Sequence, residues 1–512
     1  MIKRNSLARR IALFAGGFVL VLAVAFAAAV TWPTNEPMAV RQPGRLAITN
    51  VAVVDIRAGR TVPGQTVILS GNRITSVGPA DLAAVPADAR VIDGTSKYVM
   101  PALWDMHAHV YAFAPLLDIS LYIAYGVTNV RDMQGCPAPG DPFIACYQDK
   151  KRWTEEALSG KRVSPRIFES SSFMANGPGM ARRLGNVPAY FDVATPEQAR
   201  KFVRHYAPQA DTIKVYDGIP RDSYLALADE ASKFGLPLVG HKPRAVSAIE
   251  AAKHQRSIEH ARFVLHESFD GSEELRRTAG TPWWSEDRRR MVDRHDPAIA
   301  TRIFEAMRSN GTYYIPTHLT RWSDAYADDP AVRQDPSLEY LHPLMKMQWL
   351  EDVNALVDRD PSPDARKAYR DFYDKGLALT KQAHDAGVRI MVGSDYIAAG
   401  LDVHREMQQL VKAGLTPQQA LAAATLVPAE YTRATDRYGD IAAGKLADLL
   451  ILDANPLVDI RNTQSIRMVV FNGAPYDHET IAGIKDAVRK NARSWTIGSK
   501  ILWRFLKNPA SY

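Results

Sequence analysis
Between Leu46 and about Val99 the chain alternates apolar and polar positions with a period near two. The runs LAITNVAVVD, TVILSGNRITSVG and RVIDGTSKYV read as short strands broken by turns. The same texture returns in KLADLLILD and IRMVVFNGAPY. In between, short apolar runs at Ala102–Asp105, Val127–Arg131, Ile167–Ser170, Thr212–Tyr216, Pro237–His241, Ser257–His260, Tyr313–Thr317 and Arg389–Gly393 alternate with helical patterns such as Arg221–Phe234 and Pro417–Ala424. Eight strand–helix units predict an α/β fold, a parallel (β/α)8 TIM-like barrel rather than an open sheet. The β-rich flanks from both ends are expected to meet in one small β-sandwich. The expected organisation is residues 46–100 with 436–477 as the composite sandwich and 101–435 as the barrel, preceded by 1–45 and followed by a basic helical tail, 478–512. Two stretches, 282–311 and 322–364, are expected to shape a pocket.

The N-terminus departs from this pattern. Lys3, Arg4, Arg9 and Arg10 precede an apolar run from Ile11 to Trp32. A bilayer span needs about 20 such residues, and the flanking positive charge would keep its start in the cytoplasm. Ala27–Ala29 equally suits a cleaved signal peptide. Either reading exports the body, to the periplasm in a bacterium, with residues 33–45 as linker. Composition is otherwise that of a folded protein, 46% hydrophobic and 23% charged. The net charge of +7 resides at the ends, because residues 1–10 and 485–507 are strongly basic. The remaining body is slightly acidic, so nothing there suggests nucleic-acid binding. Cys136 and Cys146 lie in GCPAPGDPFIAC without zinc-ligand spacing. Export favours a disulfide between them over two free buried thiols.

The chemistry gathers at the C-terminal ends of the expected strands, where barrel enzymes keep their active sites. The first ends in WDMHAH, so His107 and His109 sit two apart and face one way. The fourth carries Lys214 in TIKVY, a lysine within an apolar strand. His241 ends the fifth, His260 the sixth, and Asp395 follows the eighth in VGSD. Taken singly each has an ordinary structural reading; six falling in order at the ends of strands one, four, five, six and eight do not. Tyr216, His318, Tyr396 and His404 are candidates for substrate binding. The remaining helical or loop histidines, His266 and His342 among them, read as surface residues.

The segments VMPALWDMHAH, IKVYDG, VGHKP, IEHA, VGSD, HREMQQLVKAGLTPQQALAAATLVPAEYTR and GDIAAGKLADLLILDANPLVDI resemble the binuclear amidohydrolase superfamily, in its imidazolonepropionase-like and Xaa-Pro dipeptidase-like branch. The resemblance covers residues 46–476. It implies two divalent metals, zinc suiting the donor set. His107, His109 and Asp395 would hold the more buried ion and His241 and His260 the other. Lys214, carboxylated by CO2, would bridge them. A hydroxide between the metals would attack, with Asp395 as general base and then acid. The implied activity is hydrolysis of an amide or peptide bond in a small substrate, a dipeptide or N-acyl amino acid. A lactone, cyclic imide or phosphotriester is the alternative substrate, and a membrane-tethered non-catalytic module the alternative role.

Overall fold
The computed structural model describes residues 2–34, 43–185, 187–278 and 284–508, with side chains from residue 11 onward. Most of the expected linker and the start of the 282–311 stretch lie outside the described residues.

Strands from both ends of the chain share one mixed sheet. Its N-terminal members are β1 (Arg45–Asp55), β2 (Arg60–Ser70), β3 (Arg73–Pro79), β4 (Arg90–Asp93) and β5 (Tyr98–Pro101). β6 (Leu103–Ala108), β7 (Val127–Asp132), β8 (Arg166–Ser170), β9 (Ile213–Val215), β10 (Leu238–Gly240), β11 (Gln255–Glu259) and β12 (Tyr313–Ile315) follow. β13 (Leu449–Leu452), β14 (Ile466–Phe471) and β15 (Ala474–Asp477) return to the first sheet. Its order is β15-β14-β13-β5-β1-β2-β3, with β4 alongside β1. The join is β13 on β5, antiparallel, with Leu449 opposite Pro101 and Ile451 opposite Val99. Alternate side chains of these strands, including Ile48, Val51, Val67, Leu69, Leu449 and Ile451, bury into one apolar cluster.

The middle strands behave differently. β6 and β7 are buried at every residue, as parallel strands covered on both faces require. β6-β7-β8 and β9-β10-β11-β12 form two parallel ladders. Bridges Ser171–Thr212 and Ala175–Val215 connect β8 to β9. On the other side, residues 389–395 run between β12 and β6. The first five of these, Arg389–Gly393, are expected to form a strand, and they form only an isolated bridge from Ile390 to Tyr314. Met391 N–H donates to Tyr314 O, Val392 N–H to Ala423 O, and Val392 O accepts from Met106 N. Bonds divided between two strands and a helix end build no continuous ladder. Gly393 makes the close approach possible: a Cβ there would sit 2.6 Å from His107 Cβ.

Helices cover this assembly, with ends set locally. At Pro417–Ala424, Thr416 Oγ1 accepts from Gln419 N while Gln419 Oε1 accepts from Thr416 N, a capping box ahead of proline at the first turn. Both cysteines are joined in a Cys136–Cys146 disulfide. The N-terminal helix spans Ile2–Thr31, of which Ile11–Thr31 are long and apolar enough to cross a membrane. The C-terminal segment forms two helices, His478–Ala492 and Trp495–Lys507.

Candidate metal centre
Three ligand-type groups converge at the end of β6. His107 and His109 follow one another on the same side of the chain, and Asp395 is drawn in by its own N–H, which donates to His107 O at 2.8 Å. Asp395 Oδ1 lies 3.1 Å from His109 Nε2 and 3.7 Å from His107 Nε2. One ligand atom from each of the three residues lies within 4.8 Å of the others, a group able to hold a metal ion.

The other predicted residues surround this trio. Lys214, between the fully buried Ile213 and Val215, turns inward and places Nζ 3.4 Å from His107 Nε2. Among the described residues no carboxylate comes within ion-pair distance of it. His241 follows Gly240, whose φ of +116° brings the chain against Lys214 and excludes a side chain. The His260 ring lies tilted against His241 at 4.3 Å between centroids and 5.0 Å from His107. His260 and Asp395 both adopt left-handed backbone, φ +69° and +42°. Such conformations cost about 1–3 kcal/mol and persist where surroundings enforce them, typically at functional sites. His241 Nδ1 and His260 Nε2 are buried without a hydrogen-bond partner. Two orphaned imidazole nitrogens beside a carboxylate are a fitting donor set for divalent cations.

Supporting residues that sequence reasoning missed fix the histidine tautomers. Glu259 Oε2 holds His107 Nδ1 at 3.2 Å and Gln134 Oε1 holds His109 Nδ1 at 2.9 Å, which leaves both Nε2 atoms facing Asp395. Glu259 is in turn fixed by Arg131 (2.9 Å) and Ser257 Oγ (2.6 Å). Asp105 accepts from the N–H groups of His107 and Ser394. For Glu259, Ser257, Arg131 and Asp105 the only sequence signal was polarity inside buried strands, and Gln134, just after β7, had none.

Electrostatics follow the same geometry. Burial pushes His107, His241 and His260 well below the usual histidine range. Burial lowers Lys214 to about 8, so a neutral amine is accessible near physiological pH. Burial opposes the charge on Asp395, but His107, His109 and Lys214 outweigh it and hold the carboxyl well below its ordinary value.

A cavity of about 200 Å3 contains all six predicted ligands together with Tyr216 and Arg262. It adjoins a second of about 460 Å3, which shares His109, Gln134 and Asp395 and is walled by Tyr396, Leu341, Met345 and Trp349. The 322–364 stretch therefore does line a cavity. His318 and His404 correct the expectation, since neither lines these cavities. His318 Nε2 is 2.9 Å from Thr380 Oγ1, and its backbone N–H is taken by Glu406. His404 sits between Thr463 Oγ1 and the Tyr125 carbonyl, both at 2.8 Å. Neither His266 nor His342 is a surface residue. His342 is buried and caps a helix at Leu344 N, and His266 lines a small internal cavity.

Residues 98–475 match the Amidohydrolase family. The chain belongs to that family. Solved structures like this amidohydrolase include a bottromycin amidohydrolase (21% identity, TM-score 0.65, 91% of this chain and 93% of that one). A Xaa-Pro dipeptidase with bound methionine in its active site aligns at 20% identity and TM-score 0.59, over 85% of this chain and 100% of the other. Among curated proteins, adenine deaminase 3 of Rhizobium meliloti (strain 1021) is 31% identical over 70 residues, 14% of this chain and 12% of the deaminase. The adenine deaminase of Rubrobacter xylanophilus (strain DSM 9941 / JCM 11954 / NBRC 16129 / PRD-1) is 34% identical over 105 residues, 18% of this chain. These matches span only 12% and 17% of the deaminases' own lengths.

Proposed function
We propose that this amidohydrolase cleaves an amide or peptide bond in a small substrate bearing a free carboxylate, a dipeptide or N-acyl amino acid, with two divalent metal ions, zinc in the first instance. The observation that carries the reading is the convergence of four imidazoles, one carboxylate and a buried lysine without an acidic partner. β6–β12 and the 389–395 segment are read as a (β/α)8 barrel, supported by the bridges and hydrogen bonds that link the two ladders on both sides. His107, His109 and Asp395 would hold one ion, and His241 and His260 the other. Lys214 would bridge them once its amine has added to CO2, forming an N–C bond and releasing a proton. The ions would contribute Lewis acidity and bring a water into the neutral titration range. Asp395, beside both Nε2 atoms of the HxH pair, is placed to accept a proton from water and return it to the leaving amine.

Arg262 favours a carboxylate-bearing substrate over lactones, cyclic imides or phosphotriesters. It lines the same cavity as the ligands, and among the described residues it has no hydrogen-bond or ion-pair partner. An unpaired guanidinium in a cavity suits a bidentate anion. The N-terminal helix is read as a membrane anchor or cleaved export signal, and together with the disulfide it supports a periplasmic location for the body.

The test combines metal analysis with a panel of dipeptides, N-acyl amino acids and their neutral amides. Protein reconstituted with zinc and bicarbonate is expected to carry two ions per chain and to prefer the free acids. Arg262→Met should cut the acid-over-amide ratio of kcat/KM by about ten- to a hundredfold, the worth of a charge-assisted contact. One ion or none, with no turnover on the panel, would sink the hydrolase reading. An unchanged ratio in Arg262→Met would remove only the carboxylate assignment.

A further inference from the structure
The C-terminal helix Trp495–Lys507 has two unlike faces. Ile497 is buried, and with Ile501 it packs on Phe113, Leu117, Tyr111 and Phe143. The opposite side leaves Trp495 65%, Leu502 52%, Trp503 39% and Leu506 60% exposed. Positions 495, 502 and 506 recur at helical spacing, so these side chains form one stripe. Lys507 flanks it, Lys500 reaches the end of the N-terminal helix, and the helix contains no acid. Large apolar side chains left contiguous in water mark an interaction surface. Basic residues beside such a stripe select an anionic apolar one.

The N-terminal helix indicates what covers that surface. Its apolar part, Ile11–Thr31, has the length of a bilayer span and, apart from Phe26, Ala29 and Val30 near its end, is exposed. The C-terminal helix touches only its end: the Phe26 and Trp503 rings meet at 6.2 Å, and Lys500 Nζ donates to Val30 O at 2.7 Å. Trp32 is exposed at the same level. Tryptophan and cationic residues where a span ends are the composition of a membrane–water boundary.

We propose that Trp495–Lys507 is an interfacial helix that rests in the headgroup layer of a membrane containing anionic lipid. Trp495, Leu502, Trp503 and Leu506 face the acyl chains, while Lys500 and Lys507 provide the positive charge. This surface is independent of the catalytic reading. Its buried face nevertheless packs on Tyr111, Phe143 and Met345, which wall the 460 Å3 cavity beside Asp395. The helix thus seats that cavity at the membrane.

The experiment reconstitutes the full chain into phosphatidylcholine vesicles with and without phosphatidylglycerol. Trp503 emission is isolated as the difference between wild type and Trp503→Phe. Acyl-brominated lipid is expected to quench that component, more strongly with phosphatidylglycerol present and less after Lys507→Gln. If processing removes the N-terminal helix, cosedimentation of the mature chain with the same vesicles is the readout. Affinity should then fall about fivefold for each cation neutralised. Trp503 open to aqueous iodide in every vesicle, or a mature chain that fails to sediment, overturns the proposal. Trp503 shielded from iodide yet untouched by brominated lipid assigns the stripe to a protein partner and overturns it equally.

Discussion

Lys214→Ala is expected to lower kcat/KM by about a thousandfold or more, roughly 4 kcal/mol of transition-state stabilisation, while the protein stays folded. The expectation rests on where Nζ sits. It is 3.4 Å from His107 Nε2, buried, and unpaired by any carboxylate among the described residues. A permanent ammonium there would repel divalent cations, whereas the carbamate turns the same position into an anion with two oxygens. The substitution removes that bridge, so metal content should fall together with turnover. Formate or propionate should restore part of both by occupying the vacated place. A lysine serving only as packing would not respond to small acids. Wild-type metal and wild-type turnover in Lys214→Ala would overturn the assignment.

The largest effect on stability is expected from Glu259→Leu, about 3–5 kcal/mol. Glu259 is wholly buried and holds three partners at once, His107 Nδ1, the Arg131 guanidinium and Ser257 Oγ. Arg131 also donates to the Met106 carbonyl, Ser257 and Tyr431. Burial works against its charge, and Glu259, Tyr431 and Glu169 together keep it charged. Leucine strands that charge in the interior and also frees His107 to present the wrong nitrogen. Glu259→Gln keeps the shape and one acceptor, so it should cost less stability while still weakening metal retention. Urea unfolding with metal analysis on both variants checks this. A Glu259→Leu protein as stable as wild type would show that the Arg131 charge is compensated elsewhere.

The residues that meet at the centre were legible because each stands within or just after a short apolar run, although left-handed backbone at His260 and Asp395, rather than strand periodicity, sets those two. The paired flanking strands and the Cys136–Cys146 bond were legible for comparable local reasons. What escaped depends on partners distant in the chain. Residues 389–393 have strand composition, but their hydrogen bonds go to both Tyr314 and Ala423. His318 and His404 look like pocket residues until Thr380 takes His318 Nε2 and Thr463 and the Tyr125 carbonyl take both nitrogens of His404. Glu259 is an unremarkable acid in SIEHA, and it becomes a support only once β6 brings His107 across to it. Arg262, two residues after His260, carried no signal beyond its charge.

The pairing of β13 with β5 also governs how the chain can be made. Synthesis delivers β1 to β5 first, and Pro101 acquires its neighbour Leu449 only after the whole intervening body has emerged. Such high contact order slows folding. Meanwhile Tyr98–Pro101 presents an unpaired edge of the kind that templates association between chains. A ribosome that stops before residue 449 leaves that edge permanently open. Incomplete chains should therefore aggregate or be degraded rather than persist as half-active fragments, and the last strands act as the latch on a sheet begun at the first.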